Sequence, residues 1–114
     1  MDFSMTSKFS ENPECWLINI EGEVDVFNSA DMKTKLIELV DKKQADIKIE
    51  CKNLTYIDST GLGAFIAVLK KTKEYEKSVY FKNLKPSLSK LFKITNLDKV
   101  FIIENDSKEG DSNE

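Results

Sequence analysis

The run Ile47-Lys48-Ile49-Glu50-Cys51-Lys52 restricts the fold more than any other part of this chain. Side chains on a strand alternate between its faces, so Ile47, Ile49 and Cys51 turn one way and Lys48, Glu50 and Lys52 the other. A strand covered by helices on both sides reads as a continuous apolar run. This one has one wet face. The segments around it alternate in type. Phe3, Met5, Ser7 and Phe9 follow a period of two and predict a first strand, with Glu11-Asn12-Pro13-Glu14 as a turn. Cys15 to Ile20 predicts a second strand with Trp16, Ile18 and Ile20 on one face, broken by Gly22-Glu23-Val24-Asp25. A helix is expected from about Ser29, which can cap it, with Asp31 in its first turn and Met32, Leu36, Leu39 and Val40 as its stripe. A second helix is expected to about Tyr75, with Leu62, Phe65, Ile66 and Leu69 buried. Ser78 to Lys82 predicts a short strand, Pro86 opens a third helix carrying Leu88, Leu91 and Phe92, and Val100 to Ile103 predicts a last strand. The order β, β, α, β, α, β, α, β implies an α/β fold: a mostly parallel, mixed sheet with helices packed on one face.

A length of 114 residues suits one domain, expected over 1–104, with 105–114 as a polar, disordered tail. The net charge of −3 speaks against nucleic acid as a direct partner, which calls for a basic patch. All 17 basic residues are lysine, so the bidentate fork that reads phosphate is missing. No leader follows Asp2 and no apolar run reaches the roughly 20 residues of a membrane span. A cytoplasmic protein is therefore expected. Cys15 and Cys51 fall in strand-like runs and read as small buried hydrophobes. The chain has no histidine. That removes Ser-His and Cys-His nucleophile pairs, and two cysteines alone do not make a zinc site. No cofactor and no metal are expected, and the chain does not read as an enzyme.

The segment Tyr56-Ile57-Asp58-Ser59-Thr60-Gly61-Leu62-Gly63 joins a strand to the second helix. Its plain reading is structural: Asp58 or Ser59 caps the helix, and Gly61 and Gly63 allow close packing. Gly61 could serve its own sheet or the approach of a partner. Gly61-Leu62-Gly63 is followed by Ile66, so the dinucleotide fingerprint fails, and no phosphate-binding P-loop is present. Asp25 and Asp58 could form an acid-base or metal pair, but no third ligand accompanies them. With no histidine to serve as its base, Ser59 reads as a substrate hydroxyl more readily than as a nucleophile.

Gly22-Glu23-Val24-Asp25, an amphipathic helix, Ile57-Asp58-Ser59-Thr60-Gly61-Leu62-Gly63, and Leu91-Phe92-Lys93-Ile94-Thr95-Asn96-Leu97 together resemble the STAS domain. The likeness runs from about Phe3 to Ile103 and is strongest to the stand-alone anti-sigma factor antagonists of bacteria, the general stress type before the sporulation type. The resemblance implies the STAS fold and a regulatory role. Unphosphorylated, such a protein binds an anti-sigma factor that is also a serine kinase, and so frees a sigma factor. Phosphorylation of the residue matching Ser59 switches it off, and a serine/threonine phosphatase resets it. The resemblance places the partner surface on Asp25, Val26, Phe27, Asn28, Asp58, Thr60, Gly61 and Leu62. A monomer is expected when the protein is free. Phe27 reads equally as a core residue. A STAS scaffold or sensor module binding a small ligand is the alternative. Asn96 stands where the family's late motif carries glycine, and asparagine is the next most tolerant residue at positive φ.

Overall fold

The computed structural model describes residues 2–105. Of the predicted tail, 106–114 lie outside the described residues. Two strands open the chain, β1 (Phe3–Glu11) and β2 (Glu14–Val24), followed by α1 (Ser29–Lys42) and β3 (Asp46–Glu50). Then come β4 (Leu54–Ile57), α2 (Ser59–Glu74), β5 (Val79–Lys82), α3 (Pro86–Ile94), a 3-10 turn at Leu97–Lys99, and β6 (Ile102–Glu104). Among the described residues the sheet order is β1-β2-β3-β5-β6, with β4 also paired to β2. Only β1 is antiparallel to its neighbour. The C-terminal ends of β2 to β6 therefore share one end of the sheet, and the β1–β2 turn lies at the other.

Strand alternation sets the layers. Trp16, Ile18 and Ile20 of β2, Ile47 and Ile49 of β3, and Val79 and Phe81 of β5 join residues of all three helices in one core. The other face carries Lys8, Leu17, Asn19, Lys48, Glu50 and Lys82 around an open groove of about 450 Å³. Phe81 lies at the centre of an aromatic group, with ring centroids of Phe65, Phe92 and Phe101 each about 5 Å away in edge-on contact. Such geometry suits aromatic quadrupoles. Cys15 and Cys51 are free thiols and both buried, as the sequence led us to expect. Burial, with Glu50's charge beside it, pushes the Cys51 thiol up to about 12.

Several local expectations are corrected. β2 is not broken at Gly22; it runs on to Val24, and Gly22 adopts φ 91° where the register with β4 shifts by one residue. A Cβ on Gly22 would lie 2.1 Å from the Asp2 carbonyl oxygen, so a side chain is excluded there. The extra length of β2 gives it two partners along one edge, β3 on its first half and β4 on its second. β4 was not foreseen, because its ends are buried and its middle exposed, which is not a period of two. Ser29 is the first residue of α1, and Asn28 occupies the capping position. Along α2 the buried line is Gly61, Ala64, Phe65, Val68, Leu69 and Thr72, so Leu62 and Ile66 flank the core. Leu39 and Leu91 are likewise half-buried. The last strand begins two residues later than expected, after the 3-10 turn that Asn96 opens at φ 61°. Asparagine thus serves at the positive-φ position as anticipated.

Candidate functional site

Two loops meet at the C-terminal end of β2 and β4. The first, 25–28, is knotted by its own polar groups. Asp25 Oδ1 accepts from the Phe27 amide at 2.9 Å, and Asn28 Oδ1 accepts from the Asp25 amide at 3.0 Å. Asn28 Nδ2 donates to the Glu23 carbonyl at 2.9 Å, and the Asp25 carbonyl accepts from the Ser29 amide at 2.9 Å. Aspartate and asparagine favour such turns because their short side chains reach nearby backbone. The consequence is outward display of the apolar pair between them: Val26 is 61% exposed and Phe27 86%. Phe27 is therefore not a core residue. Asp25 is 4% exposed, and its Oδ2 has no hydrogen-bond partner among the described residues. Leaving a buried carboxylate oxygen unpaired is unfavourable.

The second loop is the β4–α2 junction. Asp58 is the cap: its Oδ1 accepts from the Gly61 amide at 3.0 Å and from the Thr60 hydroxyl. These two bonds, led by Thr60's, hold the Asp58 carboxyl below the usual carboxylate range, with the Thr60 and Val26 amides also turned toward it. The Asp58 amide donates to the Val24 carbonyl at 3.1 Å, so the two loops are joined through backbone as well. Ser59 is exposed at the first position of α2, while the neighbouring hydroxyl of Thr60 is engaged with Asp58.

The residues singled out from sequence thus separate by exposure. Val26, Phe27, Ser59 and Thr60 are exposed, Asn28, Asp58 and Leu62 half-buried, Asp25 and Gly61 buried. Asp25 and Asp58 serve the two loop turns, and among the described residues no cluster of three or more histidine, cysteine or acidic side chains could hold a metal. Gly61 packs against its own sheet: a Cβ there would lie 2.8 Å from both Ile57 Cγ2 and Val24 Cγ1. Gly63 has no such constraint, contrary to the expected close packing. Tyr56, at the start of the same segment, lies on β4 and is 48% exposed beside these loops. No helix among the described residues is long and apolar enough to cross a membrane.

Comparison with known proteins places this geometry. The STAS domain model matches residues 7–110. A relative from Bacillus subtilis, an anti-sigma-B factor antagonist, is 38% identical over 93 residues, covering 82% of this chain and 84% of its own. A Staphylococcus aureus protein of the same name is 31% identical over 80 residues, covering 70% of this chain and 74% of its own. Among solved structures, the Bacillus cell fate determinant SpoIIAA in its phosphorylated form superposes with a TM-score of 0.70 at 16% identity, over 94% of this chain and 93% of that one. The fold is thus shared over nearly the whole chain while the identity is low. The sheet with helices on one face, the family model and the curated relatives agree: this chain belongs to the STAS-domain anti-sigma factor antagonists, which are regulatory proteins.

Proposed function

We propose that this protein, unmodified, binds an anti-sigma factor that is also a serine kinase, and that phosphorylation of Ser59 abolishes the binding. A serine/threonine phosphatase restores it. The observation that carries the reading is an exposed serine, Ser59, at the first position of α2, whose hydroxyl has no hydrogen-bond partner among the described residues, beside an exposed apolar pair, Val26 and Phe27. A kinase needs an accessible hydroxyl, and a partner needs apolar surface to bury. The commitment of Thr60 to Asp58 favours Ser59 as the acceptor.

Electrostatics make such a switch selective for the interface. A phosphate adds about −1.5 to −2 charges. At a helix N-terminus that charge is tolerated, with an interaction worth roughly 0.3–1 kcal/mol when exposed. Against a stability of about 5–15 kcal/mol the fold is barely affected. Across a close interface, one unit pair of like charges at about 6 Å and an effective dielectric of about 20 costs about 3 kcal/mol. That is on the order of a hundredfold in affinity.

Incubation with ATP and the cognate anti-sigma factor kinase, followed by mass spectrometry, tests the site. Phosphate is expected on Ser59 and absent from Ser59→Ala. Continued modification of Ser59→Ala at another residue would show the assignment to be wrong. In calorimetry, Ser59→Asp should bind that kinase at least about tenfold more weakly than wild type. Its Tm should stay within about 2 °C, because the fold tolerates the charge.

A further inference from the structure

Gly61 and Gly63 stand two residues apart on α2 and relate to the fold in opposite ways. The sheet beneath requires Gly61 to be bare, whereas a Cβ on Gly63 would meet nothing within 4 Å. Gly63 is exposed, lies inside the helix and has no positive φ. Glycine is the poorest helix former after proline, because it loses the most backbone freedom on folding. Its presence weakens α2 with no return in internal packing.

What surrounds Gly63 is a groove of about 240 Å³ between the first turns of α1 and α2. Ser29, Ala30 and Lys33 form one wall, and Thr60, Gly63 and Ala64 the other. Both walls begin at the loops described above: Ser29 follows the Val26–Phe27 loop, and Thr60 follows Ser59. The groove is therefore continuous with the surface proposed for the partner. We infer that Gly63 is a specificity-determining residue, kept without a side chain so that a segment of the anti-sigma factor kinase enters the α1–α2 groove when it engages Ser59. The inference rests on the function proposed above. Ala30, Gly63 and Ala64 keep the groove free of bulky side chains, while Ser29, Thr60 and Lys33 line it with polar groups, which fits a small polar or acidic side chain. Lys33 is its only charged wall residue, and two helix N-termini open beside it, so the segment carries a carboxylate next to that side chain.

Gly63→Ala and Gly63→Leu separate fold from interface. Both should melt at or above the wild-type temperature, Gly63→Ala higher by about 4 °C. Binding of the cognate kinase, measured by calorimetry, should weaken with side-chain size, by about tenfold or more for Gly63→Leu. Leucine bound within about twofold of wild type would overturn the inference. So would a lowered Tm for Gly63→Ala, which would return the glycine to the fold. If folded wild-type protein itself fails to bind the kinase, the proposed function falls and this inference with it; a wild type that binds while Gly63→Leu binds equally well overturns the inference alone.

Discussion

Asp58 shows how much one side chain can organise at the start of a helix. Its carboxylate closes the N-terminus of α2, engages Thr60 and receives amides from both loops. Because its folded pKa is depressed, the stabilisation is present above the ordinary value of 3.8 and is lost as pH falls through the lower folded value. Asp58→Asn keeps the shape and a capping oxygen but never carries the charge. Its Tm should lie a few degrees below wild type at pH 7, and the gap should close in melts below about pH 3.8. A gap that persists unchanged in acid would mean that the charge contributes nothing. This residue was legible in sequence as one of two capping candidates. What sequence could not decide was which hydroxyl it would engage, since Ser59 and Thr60 are both within reach of a cap and only backbone direction chooses between them. For Phe27, likewise, apolar character suited core and surface equally until the Asp25–Asn28 turn fixed its direction.

At the level of elements, the contact of α2 with the sheet passes through Gly61. The helix descends onto Ile57 and Val24 at a distance that leaves no room for a methyl group. Gly61→Ala should therefore cost about 1–3 kcal/mol in denaturant unfolding, as overpacking does, although alanine is the better helix former. A neutral or stabilising result would show that α2 can lift off the sheet freely. The helices themselves were legible because their apolar periodicity is long: α1 and α2 were placed with nearly the right limits. Their buried lines were less so. On α2 the sheet is approached by Gly61, Ala64 and Val68, small residues that contribute little to an apolar stripe, so the larger Leu62 and Ile66 read as buried in their place. Short strands fared worst. β4 offers four residues without alternation, because the extra residue Thr55 shifts its register against β2. β6 offers three, and its start depends on the 3-10 turn after Asn96.

For the molecule as a whole, a single core joins all three helices to one face of the sheet, so its opening should be cooperative. Cys51 is a probe of that. It is 0% exposed at the β3–β4 corner, and its thiol is pushed up to about 12, so the reactive thiolate is scarce near neutral pH. In a Cys15→Ser background, labelling of Cys51 by a thiol reagent should be slow in native buffer and follow the denaturant unfolding curve measured by circular dichroism. Fast labelling in native buffer would reveal a local opening of that corner. The layer arrangement was legible from the alternation of Ile47 to Lys52 alone, since a charge every second residue cannot lie under a helix. Strand order was not, because pairing joins residues far apart in sequence. That pairing has a practical side. Phe3 lies beside Gly22, and Glu104 ends a strand parallel to the rest, so both ends of the described chain emerge on the side of Ser59 and Phe27. A fusion joined directly at residue 2 or 105 would crowd the surface proposed for the partner. The Asn12-Pro13 turn, at the opposite pole, is the better place for a surface-coupling handle or a fluorophore, and would let docking be watched without obstructing it.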